Sequence, residues 1–301
     1  MIKKLILFLT FVFSINAFSQ DFSAIWNTTN TTNNSTLDNQ IEIPTNPTLT
    51  YNFTVDWGDG NTDTNVNGNI THTYTTTGTY TINVSGIFPQ IYFNNTGDKL
   101  KIEEILSWGN IQWQSMENAF WGCINLNFDA IDAPDLSQVT SLQNMFRNCS
   151  SFNGILNNWN TSTITNISGM FADATIFNRP LDNWNVSAIT NMSETFYDAG
   201  NFNEPLDSWN TSSVTDMSNM FNEASSFNQN IDNWSVNQVT TMYRMFKNAS
   251  TYNSPLNSWN VANVTDMAEM FEDARDFNQP INDWNVSNVT NMTSMFSDAN
   301  D

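Results

Sequence analysis

Residues 202–226 read FNEPLDSWNTSSVTDMSNMFNEASS, and residues 277–301 read FNQPINDWNVSNVTNMTSMFSDAND. The two stretches are one pattern. Its period is 25 residues: Trp159, Trp184, Trp209, Trp234, Trp259 and Trp284 keep that step, as do Phe146, Phe171, Phe196, Phe221, Phe246, Phe271 and Phe296. One inserted residue carries the register upstream to Phe120, aligning Trp108 with Pro134 and Ile105 with Ile131, so that eight rungs can be counted. A unit this short cannot bury an apolar stripe alone, whereas stacked units share one long core. The period therefore predicts a solenoid.

Within a unit, Leu181-x-x-Trp184-x-Val186 predicts a short extended run. Met192, Phe196 and Ala199 then fall at i, i+4 and i+7, and other units fill i+3 as well, as in Met217, Met220, Phe221 and Ala224. That spacing predicts a two-turn amphipathic helix. Thr190 and its equivalents Thr140, Thr165, Thr215, Thr240, Thr265 and Thr290 stand where an N-cap belongs. Pro180, Pro205, Pro255 and Pro280 would stop the helix from continuing. The expected fold is an α+β repeat, a β/α solenoid of 25-residue leucine-rich-like units. Eight strands about 4.8 Å apart would span roughly 34 Å. The Asn after each second Phe (Asn153, Asn178, Asn203, Asn228, Asn253, Asn278) is expected to form a ladder, since a carboxamide both donates and accepts. The Met and Trp columns read as core. Asn185-Val-Ser and Asn210-Thr-Ser come with the repeat and so carry little weight as glycosylation sites.

The pattern FNxPLxxWNxSxVTxMxxMF resembles the BspA-type leucine-rich repeat of bacterial surface proteins, over about residues 101–301. The resemblance implies a right-handed β/α solenoid displayed outside the cell, a role in adhesion or protein recognition, and no catalytic residues. The first two rungs depart from it, with Pro134 in place of Trp and Lys101 in place of Phe, and are expected to form an N-terminal cap. Upstream, Tyr51-Asn-Phe53-Thr-Val55-Asp-Trp57 and Tyr80-Thr-Ile82-Asn-Val84 alternate with period two around Gly58-Asp59-Gly60 and Thr77-Gly78. This predicts a small antiparallel β-sandwich over residues 20–98, ahead of a solenoid over 99–301. Val55-Asp-Trp57-Gly-Asp59-Gly60, with His72-x-Tyr74 and Gly78-x-Tyr80, resembles a PKD (polycystic-kidney-disease) type domain, an immunoglobulin-like spacer or adhesion module.

Residues 1–19 read as a signal peptide: Lys3 and Lys4 precede an apolar run from Leu5 to Ile15, and Ala17 and Ser19 flank a cut before Gln20. The run is shorter than the ~20 residues a bilayer needs. The mature chain is thus expected to be secreted or held at the bacterial cell surface, with no transmembrane helix. The chain stops at a repeat boundary, Asp301, without a polar terminal cap, so further residues are expected to follow it in the natural protein.

Lys+Arg total 9 against 30 Asp+Glu, a net charge of −21, and removal of Lys3 and Lys4 takes this to about −23. Such a surface repels a phosphate backbone and argues against nucleic acid. One His and two Cys exclude histidine-rich metal sites and a disulfide-stapled miniprotein. Asp59-x-Asn61-x-Asp63-x-Asn65 suggests a calcium loop, but Thr64 stands where the sharp-turn Gly belongs and Ile70 where a bidentate Glu belongs. The favoured reading is that Asp56, Asp59 and Asp63 cap a tight turn. His72 lacks triad partners and reads as a packed or edge residue. Glu103 and Glu104 are adjacent and diverge on either a strand or a helix, against paired-carboxylate glycosidase chemistry. Cys123 and Cys149 share the column of Ala174 and Ala199 in neighbouring rungs, and read as buried thiols or as a disulfide where rung ends converge. No catalytic, cofactor-binding or metal-ligating residue is assigned, and no enzyme is expected. The expected function is recognition of an extracellular protein or matrix component through one solenoid face, which side chains varying along a column would favour. The alternatives are a carbohydrate-binding module, through exposed aromatics or the column Asp182, Asp207, Asp232 and Asn257, and a structural spacer.

Overall fold

The computed structural model describes residues 21–128 and 130–299. The expected leader over residues 1–19 and the chain's end at Asp301 lie outside the described residues. The Thr- and Asn-rich N-terminal part supplies most of the strands: β1 (Phe22–Asn27), β2 (Gln40–Ile43), β3 (Asn52–Asp56), β4 (Thr62–Val66), β5 (Ile70–Thr73) and β6 (Thr79–Ile87). β7 (Ile102–Ser107) and the short β8 (Asn127–Phe128) follow. Six strands form one sheet in the order β4-β3-β6-β1-β7-β8, and β2 pairs with β5 in a separate two-stranded sheet. Alternation works as expected in β3 and β6, where Phe53, Val55, Ile82 and Val84 are buried. The larger sheet is mixed, however, not wholly antiparallel, because β8 runs parallel to β7. β7 falls within the segment read above as solenoid, and it pairs with β1. One buried cluster accordingly runs from Phe22 through the coil to Met295.

Two local features fix this region. The tight turn after β3 places Gly58 at φ 75°, where a Cβ would run into the Thr81 carbonyl oxygen, so only glycine fits. The Lys101 side chain is fully buried 3.4 Å from Asp98 and donates to Thr36 Oγ1 and to the carbonyls of Leu37 and Gln40. Asp98 accepts from the Thr36 and Glu42 amides. Burial lowers the Lys101 pKa, against the pull of Asp98. At the position where a regular unit would carry Phe, this ion pair ties the 36–42 segment to the start of the coil.

From residue 114 onward the chain is a stack of turns. No helix forms among the described residues, which overturns the two-turn helix expected over Met192–Ala199 and its equivalents. The Met145, Arg147 and Cys149 amides each bond the carbonyl three residues back. Meanwhile the Leu142, Asn144, Phe146 and Asn148 amides donate to the carbonyls of Asn166, Ser168, Met170 and Ala172 in the next rung. Every fourth residue adopts positive φ, as at Asn144 (52°), Asn148 (57°), Asp173 (60°) and Asp198 (49°), which a right-handed helix cannot contain. Side chains therefore run two in, two out: Leu142, Met145, Phe146 and Cys149 are buried, while 143–144 and 147–148 turn outward.

The expected extended run is also a turn, closed by Trp184 N–H to the Leu181 carbonyl. Parallel pairing between rungs is confined to single residues, in the series Ser141, Asn166, Asn191, Asp216, Thr241, Asp266 and Asn291. The Thr column does not cap a helix. The Thr190 amide and Oγ1 both donate to the Thr165 carbonyl of the preceding rung, and the pattern repeats at Thr215, Thr240, Thr265 and Thr290.

The columns read as core are core. Phe171, Phe196, Phe221 and Phe246 stack with centroids 5.6–5.7 Å apart. A second file, Phe152, Phe177, Phe202, Phe227, Tyr252 and Phe277, lies alongside. Each Trp indole N–H from Trp184 onward donates to a carbonyl 28 residues back, as Trp209 does to Leu181 at 3.0 Å. The asparagine ladder is present: the Asn178 amide donates to Asn153 Oδ1, and each later Asn repeats the bond at 2.9–3.0 Å.

Candidate functional site

Inward columns and ladders repeat from rung to rung, and two of the three outward turn columns do not. One outward column runs Asn144, Gly169, Glu194, Asn219, Arg244, Glu269, and a second Arg147, Ala172, Tyr197, Asn222, Lys247, Glu272. A third is acidic or amide throughout: Asn148, Asp173, Asp198, Glu223, Asn248, Asp273. The first and third columns hold the positive-φ positions. Gly, Asn and Asp take that conformation readily. Glu194 (56°), Glu223 (64°), Arg244 (56°) and Glu269 (56°) do so at a cost of about 1–2 kcal/mol each. Charged side chains thus occupy this face against backbone preference, and strain of this kind gathers at functional surfaces.

Charges on the face form two clusters. Arg147 Nη1 lies 2.6 Å from Glu194, with Nε 4.0 Å from Asp173, and its guanidinium sits 5.9 Å from the Trp121 ring centre. Four rungs further on, Arg244 grips Glu269 with two bonds of 2.8 and 3.0 Å, and Lys247 lies 2.5 Å from Glu269 and 3.1 Å from Glu272. Arg244 also covers the Tyr243 ring at 4.7 Å. The bonds from Arg244 and then Lys247 hold the Glu269 carboxyl down at about 2. Between the clusters lies an open trough of about 630 Å³, bordered by Asp173, Tyr197, Glu223 and Lys247. Burial, then Glu223 and Asp173, raise the Asp198 pKa; burial also raises Asp173, opposed by Arg147 and aided by Glu194 and Glu223. Asn222 lines the trough, 4 % exposed, and its buried Oδ1 accepts no hydrogen bond among the described residues.

None of these residues stood out in the sequence individually. The readable signal was variation along columns of an otherwise uniform repeat.

The other candidates fall elsewhere. Asp56 and Asp59 accept from the Gly58 and Asn61 amides, and Asp63 accepts from the Trp57 indole at 2.8 Å, all bonds of a capped turn. Among the described residues no three His, Cys, Asp or Glu side chains are grouped to hold a metal ion. His72 stacks on Trp57 (4.9 Å between centroids) and bonds Asp59 at 2.9 Å. Glu103 accepts from Asn27 and Asn30. Cys123 and Cys149 are free, buried thiols, and Cys149 donates to the Phe120 carbonyl at 3.1 Å; burial pushes both thiol pKa values up. In the column proposed for glycans, Asp182 accepts from Asn157, and Asp232 from the Ser258 amide and hydroxyl, so these carboxylates serve the ladder. The Trp column is buried, at most 8 % exposed.

A family model described as "Mycoplasma protein of unknown function, DUF285" matches residues 114–214 and 201–301. No curated protein and no solved structure matches.

Proposed function

The chain belongs to the DUF285 family, and from that premise we propose a non-enzymatic recognition protein that binds an extracellular protein partner through the outward turn face. One observation carries the reading. The scaffold columns repeat while two outward columns, that of Asn144 to Glu269 and that of Arg147 to Glu272, change size and charge from rung to rung, even where the charged residue strains the backbone. A spacer needs no such variation. The trough suits a partner that carries charges of both signs, because it sets the carboxylates of Asp173, Glu194 and Glu223 beside the cations Arg147, Arg244 and Lys247. The finer readings belong to the same proposal. The 25-residue period and parallel stacking support kinship with BspA-type surface repeats. The Trp57–Gly58 turn, closed by Tyr74 hydroxyl to the Trp57 carbonyl, supports a PKD-like role for the N-terminal part, and the leader supports export.

The test is binding of the purified protein to an array of extracellular matrix proteins, host surface proteins and glycans. Residues that other rungs carry provide the variant: Arg147→Ala, Arg244→Asn and Lys247→Asn combined. We expect a protein ligand whose affinity falls at least ten-fold in the variant and weakens with salt. Binding confined to glycans, or binding that the variant leaves intact, overturns the proposal.

A further inference from the structure

A second feature lies away from the turn face, where the repeat breaks. The regular F-N-x-P sequence becomes Phe152-Asn153-Gly154-Ile155 in the first complete unit. Gly154 is required by Phe128, since a Cβ there would meet the Phe128 ring at 2.8 Å. Ile155 replaces the Pro found at 180, 205, 255 and 280, and is 62 % exposed; Ile131 is 79 % exposed. Around them lies a cavity of about 400 Å³, walled by Phe128, Ala130, Ile131 and Ile155 and rimmed by three asparagines, 127, 153 and 158, and Arg179. That volume, with an apolar wall on one side and convergent polar groups at the rim, is that of a small-molecule site. Two isolated exposed isoleucines would need no explanation. Two that border one apolar cavity do.

Arg179 supplies the polar end. Its Nε donates to the Asn153 carbonyl at 2.9 Å, and Gln229 makes the same bond to Asn203 at 2.9 Å in a later rung. The ladder thus needs no cation at this column, and Glu204 stands there in a rung whose ladder bonds are intact. Arg147, Arg244, Lys247, Arg275 and Lys101 each lie within 4.0 Å of a carboxylate. Among the described residues Arg179 and Lys99 have no carboxylate ion pair, and of the two only Arg179 borders this cavity. A guanidinium at the mouth of an apolar cavity favours a ligand with the opposite charge and an apolar body. The interruption also shows in Trp159, which stacks 6.4 Å from Phe128. Its buried indole N–H lacks the acceptor that later tryptophans have.

We propose that this cavity binds an aliphatic carboxylate, its chain against Phe128, Ile131 and Ile155 and its carboxylate paired with Arg179. The test is calorimetric titration of the purified protein with sodium octanoate, with octylamine and octanol as probes of matched chain length. Arg179→Gln keeps a donor for the Asn153 carbonyl, as Gln229 donates to Asn203 at this column, and Ile155→Pro installs the residue other rungs carry. Octanoate is expected to bind one-to-one and at least ten-fold more tightly than octylamine or octanol. Arg179→Gln is expected to remove that preference, Ile155→Pro to weaken all three probes, and the distant Arg275→Gln to change nothing. Absence of saturable octanoate binding, equal affinity for octanoate and octylamine, or octanoate binding unchanged in both Arg179→Gln and Ile155→Pro overturns the proposal.

Discussion

At the scale of single residues, the balance between backbone strain and surface charge gives the sharpest expectations. Glu223 holds φ 64° on the outward face, where neighbouring rungs place Asp or Asn. Glu223→Asn should raise stability by up to about 1 kcal/mol, read as a higher urea midpoint, while weakening partner binding. Glu269 provides the pH test. Its carboxylate is held at about 2 by Arg244 and Lys247, below the ordinary 4.5, so the folded state binds fewer protons than the unfolded chain between those values. Its contribution is complete above about pH 4.5 and is lost as pH falls toward 2. Glu269→Gln should therefore unfold at lower urea than the parent at pH 6, with the difference closing near pH 2. Many individual roles were legible from the sequence: the asparagine ladder, the turn-capping Asp56 and Asp59, and the buried thiols. Arg147 and Lys247 were not, because no local motif marks a residue whose only distinction is to differ from its equivalents one rung away.

At the scale of the repeating element, the helix expected from the sequence fails for a definable reason. A run of three-residue-back turns placing side chains two in and two out buries i, i+3, i+4 and i+7, the same positions as a helix stripe. The apolar pattern cannot separate the two. The polar positions can: Gly122, Asn148, Asp173, Asp198, Asn248, Asp273 and Asp298 repeat at a position where positive φ is required, and these residue types tolerate it. The phenyl files remain the main source of element stability. Phe221 is fully buried between Phe196 and Phe246, 5.6 and 5.7 Å away, and beside Phe227. Phe221→Ala should cost about 3–5 kcal/mol, measured by chemical denaturation.

For the molecule as a whole, the mixed sheet and the coil share one buried cluster, with β7 paired to β1 at the junction. Because the backbone bonds join each rung only to its neighbours, removing one complete period should preserve the register. Deleting residues 202–226 joins Asn201 to Phe227 in the place of Phe202. The shortened protein should fold with an unchanged far-UV circular dichroism shape that lacks helical minima, and with a lower melting temperature. The repeat order was plain from the period, but the parallel β7–β8 pairing was not, since two residues of strand leave no alternation to read. The amides linking successive rungs, such as Leu142 to Asn166 and Phe146 to Met170, also set how the protein responds to tension. A force applied along the chain would peel the coil one loop at a time, each release freeing 25 residues or about 80–90 Å of contour. Single-molecule extension traces should then show evenly spaced teeth, the record of a tether that lengthens in instalments and does not snap.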